Sequence, residues 1–440
     1  MKAPSNSPGN GPGNSGEYAR SAVPQSATVA WWKIAMVKIG VVIALPAFIS
    51  GAEMGFSMGL PRSALAIFMG AFVLAVLAAF TGTIAARSHL STALIAEHAF
   101  GRKGARAVGV VLAVTLLVWF AVTAALFGKS LNRILAEFFG LNWGASVHMV
   151  IGGVLMVITT VYGFNALQKV ADLAVPVLFL GLIGMAYFGI EQAAPGVLMA
   201  NPAHGPSLGY GMSAVIGSLA AGITIFPDMA RFARTPGHAQ GAAFATYALA
   251  LPAVLILAAL PSVATGERDL IMIMTGLGLG VPAFAFLLLA AWTTNSGNLY
   301  SSSLGIATSF ERLPFKSLAA TLGAIGIGLS LSGISESLIP LFVLVSTTIP
   351  PIAGIYIADF FIVRRGAYAS EAVERQVNIA WPAFVAWGMA AAVGISAAQG
   401  IITLSRVAAI DAIATAFIAY VALACLNKRI AAPRQTSQAG

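Results

Sequence analysis

From near residue 33 to residue 427 the chain is a succession of apolar stretches, each close to the roughly 20 residues that cross a bilayer. Lipid offers no water to a backbone N–H or C=O, so such stretches satisfy their own polar groups by folding as helices. Charged residues make up 9% of the 440, where a soluble globular chain carries about 25%. That is too few to cover a water-facing surface, and no soluble domain of useful size fits between the apolar stretches. The chain reads as an all-α polytopic membrane protein.

Twelve transmembrane helices are expected, near 33–58, 63–86, 107–128, 147–164, 170–190, 211–232, 240–262, 281–308, 318–333, 338–362, 380–400 and 405–426. Lys129, Arg133 and Glu137 make an amphipathic connector after the third. Charge sets the orientation. With the N-terminus cytoplasmic, 18 Lys and Arg residues fall inside, including Arg102, Lys103, Arg106, Arg231, Arg234, Arg364 and Arg365. Only Arg62, Lys129, Arg133, Arg268 and Arg406 fall outside, and Lys38 lies within the first span. This asymmetry is the positive-inside pattern, and it predicts a multi-pass protein of the cytoplasmic (inner) membrane with both termini in the cytoplasm.

The net charge of +9 is therefore a topology signal; basic patches interleaved with aromatics are absent, and no nucleic-acid partner is expected. Residues 1–28, with the Gly/Ser/Asn/Pro-rich Ser5 to Gly16, read as a disordered cytoplasmic tail. Residues 29–430 read as one membrane domain, and 431–440 as a second cytoplasmic tail. The one cysteine, Cys425, allows no disulfide framework, and the five histidines show no ligand spacing, so no cofactor and no resident metal are expected.

Two spans are interrupted. The first carries Gly40, Pro46, Gly51 and Gly55; the sixth carries Gly217, Gly222 and Pro227. Proline lacks a backbone donor and crowds the preceding turn, so each helix is expected to open near its middle. Paired Gly/Pro-interrupted spans in corresponding positions of two halves point to a transporter site. Their five-span separation suggests an inverted repeat, with repeat one at about 33–190, repeat two at about 211–362 and extra helices at about 380–426.

Ala290 to Gly305, AAWTTNSGNLYSSSLG, is the most polar stretch inside any span. Ala290, Thr293 and Thr294 stand at i, i+3 and i+4 and share a helix face. Two hydroxyls and a carbonyl there suit a hard cation such as Na⁺, completed by carbonyls of an opened helix. Asn295 offers an amide to a planar heterocycle's edge. Against this, membrane Ser and Thr also bond back to their own helix, the reading preferred for Ser301, Ser302 and Ser303. Trp119 sits mid-span, where it either stacks on a flat ligand or simply packs. Lys38 lies about one turn into its helix and either snorkels to water or serves as a coupling or counter-charge. Asp228 and Asp359 stand at helix ends beside Arg231 and Arg364, a pattern of surface pairing or gating.

Taken together, VPQSA (Val23 to Ala27), WTTN (Trp292 to Asn295), DMARFAR (Asp228 to Arg234) and IPPIAGIYIADFFIVRR (Ile349 to Arg365) resemble the bacterial cytosine permeases, members of the nucleobase:cation symporter family. The resemblance runs from about residue 22 to residue 430. It implies a LeuT-type fold of ten core helices in two inverted repeats plus two peripheral helices, with alternating access driven by Na⁺ or H⁺. It implies a cation site at the carbonyls of Gly40 and Ile43 with Ala290, Thr293 and Thr294. For the substrate it implies Trp119 as a stacking aromatic, with Ser218 and Asn295 as polar contacts. Four positions depart from that pattern. Leu219 stands where the family has a second aromatic, Leu116 where it has glutamine, Ala221 where it has serine and Ala44 where it has an aromatic. A site built for a polar edge rejects that edge when its partners are missing. The implied substrate is thus a nucleobase-like heterocycle, cytosine-like or a substituted pyrimidine.

No mid-span nucleophile, metal cluster or carboxylate pair is present, so the sequence does not read as an enzyme. The alternatives are the same scaffold carrying a purine, hydantoin or amino acid, or a channel or transport-derived sensor.

Overall fold

The computed structural model describes residues 18–431 apart from 201, 203–204, 269–271, 274–275, 277, 279, 311–312, 335–344, 346, 367 and 369–376. Residues 1–17 and 432–440 of the expected tails, and 338–344 of the expected tenth span, lie outside the described residues.

The described residues are helical, with one isolated bridge between Val29 and Ala233. In chain order the helices are α1 (Trp31–Val42), α2 (Leu45–Met58), α3 (Leu60–Ser88), α4 (Thr92–Phe100), α5 (Arg102–Phe139), α6 (Ala145–Val161), α7 (Phe164–Glu191) and α8 (Leu208–Thr224). They continue with α9 (Pro227–Ala230), α10 (Pro236–Ala243), α11 (Leu251–Thr265), α12 (Gly280–Ser309), α13 (Phe315–Leu331), α14 (Pro350–Ala358), α15 (Trp381–Ala398) and α16 (Ala408–Ala431). α10 runs into α11 through a π-helical stretch, Phe244–Ala250, placed just before Pro252. A second π stretch, Asp359–Val363, extends α14.

Among the described residues six helical stretches, α10 through α11 counted as one, are long and apolar enough to cross a membrane, and up to eight if each bent pair counts as one span. Three shorter apolar helices, Ala145–Val161, Phe315–Leu331 and Pro350–Val363, stand beside them. The amphipathic connector at Lys129 to Glu137 is a continuation of α5, and the short α4 is an element the hydropathy pattern did not announce. Exposed apolar residues recur along single faces, such as Leu65, Phe68 and Phe72 on α3 and Leu173, Val177 and Leu180 on α7. Apolar rows of that extent are lipid-facing rather than water-facing.

Inside, α12 lies along α5, α2 packs on α11, α3 on α8, and α15 pairs with α16. Close approach depends on missing side chains. A Cβ on Gly51 would sit 2.5 Å from the Leu255 carbonyl, and one on Gly55 would sit 2.7 Å from that of Ala259. At the α4–α5 junction Gly101 has φ +81°, and its amide neighbours Arg102 and Lys103 donate to the carbonyls of Val377 and Asn378.

The last part of the expected tail is pinned to the bundle. The Val23 amide donates to the His89 carbonyl at 3.0 Å and that of Val29 to Phe232 at 2.7 Å, while Thr308 Oγ1 reaches the Ala19 carbonyl at 2.7 Å. This strap closes one end of the bundle across α3, α9 and α12, which is why Tyr18 to Thr28 is ordered here.

Gly51→Ala should lower stability by about 1–3 kcal/mol, because the backbone of α11 must move. Gly184→Ala on α7, where an added Cβ meets nothing within 4 Å, should be neutral or slightly stabilising. Thermal unfolding of the two purified variants in detergent measures the difference.

Candidate functional site

α1 ends at Val42, and Ile43 (ψ 73°) and Ala44 (φ −117°, ψ 150°) leave helical geometry before α2 begins with a proline in its first turn. The two halves are bent by 63°. A helix that stops leaves its last carbonyls without amide partners. Here those of Gly40 and Val41 turn to α12: Thr293 Oγ1 donates to the Gly40 carbonyl at 2.6 Å and Thr294 Oγ1 to that of Val41 at 3.1 Å. Thr293 Oγ1 also stands 3.1 Å from the Ala290 carbonyl. A hydroxyl has one proton and serves one carbonyl at a time, keeping its lone pairs for other partners. Oxygens of Gly40, Ala290 and Thr293 thus converge at a buried point at the C-terminal, partially negative end of α1. Ile43, fully buried, is the residue at which α1 terminates. A second cavity of about 10 Å³, roughly one water's space, touches Thr293 and Ser296 on the α7 side.

The counterpart break is softer. Leu208–Leu219 and Ala221–Ala230 are bent by 46°, and α8 ends at Thr224, three residues before Pro227.

Between the two breaks lies a cavity of about 80 Å³, roughly five to eight times the space one water needs. Ala44, Leu116, Trp119, Ser218, Leu219, Ala221 and Thr294 line it together with Lys38. Its walls are largely apolar, with Val41, Ala47 and Ile225 completing them and Trp119 supplying one aromatic face. Ser218 Oγ donates to the Val215 carbonyl of its own helix at 3.0 Å.

Asn295 does not line this cavity. One residue beyond Thr294 it is turned about 100° around α12, where its Nδ2 donates to the Phe120 carbonyl at 3.0 Å and lies 3.3 Å from Met156 Sδ. The polar positions α12 and α5 do offer are Asn298 and Thr123, which the sequence reading missed. Both follow at i+4, Asn298 from Thr294 and Thr123 from Trp119, so the helical period already carried the signal. Ser302 behaves as packing, donating to the Ala113 carbonyl of α5 at 2.8 Å.

Freed carbonyls facing hydroxyls of a later helix, beside a cavity between two bent helices, form a transporter's arrangement. The family described as "Permease for cytosine/purines, uracil, thiamine, allantoin" matches residues 22–420. The chain belongs to this permease family. It is a multi-pass membrane transporter and not an enzyme. The permease is 28% identical over 378 residues to the cytosine permease of Escherichia coli strain K12, covering 84% of this chain and 86% of that one. It is 26% identical over 373 residues to the hydantoin permease of Microbacterium maritypicum, covering 79% and 74%. Its fold matches that of Mhp1, a nucleobase-cation-symport-1 family transporter solved in a closed conformation with bromovinylhydantoin bound. The TM-score is 0.82, at 20% identity and over 96% of both chains. A Na⁺-coupled sialic acid symporter shares the fold at a TM-score of 0.68 and 12% identity, over 94% of this chain and 93% of that one.

Three charged groups of the permease are buried, which narrows the sequence reading of each. Lys38 does not snorkel: it is 2% exposed, because the helix carrying it is packed against α9, α10 and α12. Its Nζ lies 3.5 Å from the Gly222 carbonyl. Asp228 is buried rather than at a surface, its Oδ1 accepting from the Thr92 amide at 2.9 Å, and Arg231 beside it is fully buried. Arg231 donates to the Asp228 carbonyl at 3.0 Å, to the Tyr18 carbonyl of the strap at 2.8 Å and to the Tyr300 hydroxyl at 3.0 Å. Asp359 does pair with Arg364, at 2.9 Å, with its own carboxylate buried and the Arg364 side chain 32% exposed. Its Oδ2 also accepts from Tyr368 at 2.6 Å and its Oδ1 from Tyr420 of α16 at 2.7 Å. Burial, and then the Asp359 carboxylate, push the Tyr368 hydroxyl well above its ordinary pKa, so it remains a donor. Its ring stacks on His98 of α4 at 4.0 Å.

Tyr420→Phe leaves Asp359 Oδ1 buried without a donor and should cost about 1–3 kcal/mol of stability. Denaturant unfolding of the variant against the parent protein checks this.

Proposed function

We propose that this permease imports a nucleobase or related heterocycle, cytosine-like or a substituted pyrimidine, by cation symport with alternating access. The observation that carries the reading is the convergence of the Gly40, Ala290 and Thr293 oxygens, with Thr294, which donates to the adjacent Val41 carbonyl, also lining the Trp119-walled cavity. Neutral oxygens at a helix C-terminus hold a hard cation, and Gly40, Ile43, Ala290, Thr293 and Thr294 are the residues assigned to it, with Na⁺ as the cargo. The cation completes the carbonyls that the break exposes and so holds α1 and α12 together while substrate is bound.

The substrate ring stacks on Trp119 and meets Leu219 and Leu116, an aliphatic boundary suited to a substituted ring. Ala44, Ser218 and Ala221 shape the remaining wall; Asn295 takes part through the α5–α12 contact that holds Trp119's helix in register. The names of two relatives, a cytosine permease and a hydantoin permease, support a compact cyclic amide as cargo. The same reading assigns twelve spans in two inverted repeats, at about 33–190 and 211–362, plus two peripheral helices, in the cytoplasmic membrane with both termini inside.

Uptake into proteoliposomes tests this. An inward Na⁺ gradient should drive accumulation of a labelled pyrimidine, and replacing Na⁺ by choline should abolish it. Thr294→Ala should weaken Na⁺ activation roughly tenfold. Undiminished uptake in choline, in both proteins, removes Na⁺ from the mechanism; no accumulation of any pyrimidine, purine or hydantoin under either a Na⁺ or an H⁺ gradient sinks the reading.

A further inference from the structure

Among the described residues, Lys38 is the one charged side chain lining the substrate cavity. Its ammonium carries three protons, yet its protein contacts are a long 3.5 Å approach to the Gly222 carbonyl and the face of Phe226, 5.7 Å from the ring centre. No carboxylate of the described residues stands within ion-pair distance of it.

Asp228 is the acidic group that acts on Lys38 across space without touching it, and its Oδ1 accepts from the Thr92 amide. Lys38 is thus a buried cation with no ion-pair partner among the described residues. An uncompensated charge inside a membrane protein is costly and is retained where it has work to do. The cavity also presents polar groups that the protein leaves without partners. Thr123 Oγ1 is buried with no hydrogen bond, and the Asn298 side chain makes none. Lys38 from α1, Thr123 from α5 and Asn298 from α12 all border the space that the ring would fill.

We propose that the substrate is an anion, a flat heterocycle bearing a carboxylate that pairs with Lys38. The ring rests on the nucleobase reading above; the charge rests on Lys38 alone. Substrate binding then pairs the Lys38 ammonium, while Thr123 and Asn298 read the polar edge of the ring against the apolar boundary of Leu116 and Leu219.

Equilibrium binding to the purified full-length protein in nanodiscs, with saturating Na⁺, tests this with three probes: uracil, uracil-6-carboxylate and benzoate. The carboxylated pyrimidine should bind roughly tenfold or more tighter than uracil. That ratio should collapse toward one in Lys38→Met and persist in Lys38→Arg. Equal binding of the two pyrimidines to the parent protein, or a ratio that survives in Lys38→Met, overturns the proposal and leaves the nucleobase reading standing. Benzoate bound with both pyrimidines rejected supports Lys38 as an anion partner and sinks the heterocycle instead; rejection of all three sinks both. Lys38→Met that keeps the ratio but loses gradient-driven accumulation assigns Lys38 to coupling, and so overturns the proposal too. The ligand-free melting temperature of Lys38→Met separates these results from misfolding, since removing an unpaired buried charge should leave it equal or higher.

Discussion

A helix interrupted inside a bilayer exposes carbonyls that no water can reach, and this structure is organised around the place where α1 does that. The cost is met locally: Thr293 and Thr294 of α12 supply hydroxyls to the Gly40 and Val41 carbonyls. Two threonines at adjacent positions are needed because successive residues of α12 point about 100° apart, toward successive carbonyls of the partner helix. The approach is close. A Cβ on Gly40 would lie 3.3 Å from Thr293 Cβ, so the residue whose carbonyl faces the hydroxyl is also one that has no side chain.

The remaining packing keeps that contact in place while leaving a cavity beside it. α12 is held along α5, which brings Trp119 and Thr123 to the cavity wall, and Asn295 locks the pair through the Phe120 carbonyl. α2 is seated on α11 through Gly51 and Gly55, and the strap from Tyr18 to Ala30 ties α3, α9 and α12 at one end. Each of these is a contact between segments far apart in sequence, which is how a break in one helix can be compensated by another 250 residues away.

Much of the site was legible because it is periodic. Ala290, Thr293 and Thr294 share a face by the helical repeat, and Asn298 and Thr123 extend the same stripes by one turn. Asn295 shows the limit of reading polarity without angle: its amide is as polar as its neighbours, but the helix turns it into the α5 contact. Proline was a similarly partial signal. Pro46 coincides with a 63° break, whereas Pro176 and Pro261 lie inside continuous helices. Whether a proline opens a helix depends on what stands ready to satisfy the freed carbonyl, and that is a property of the neighbour. The charged residues were the least legible. Asp228 and Asp359 read as groups near water and Lys38 was left between water and a charge role inside the span; all three are buried, because the elements that cover them come from remote parts of the chain.

The sequence by itself determined that this protein lives in lipid, that it is helical, and which helix faces carry polar groups. Those follow from hydrophobic length and the 3.6-residue period, which are local properties. Only the tertiary structure decided which carbonyl each threonine meets, which amide lines the cavity and which turns into a helix contact, and that a lysine one turn into the first helix lines the cavity between the two breaks. Those are settled by which helices come to lie side by side, since burial and hydrogen-bond partners belong to pairs of segments and not to either one alone.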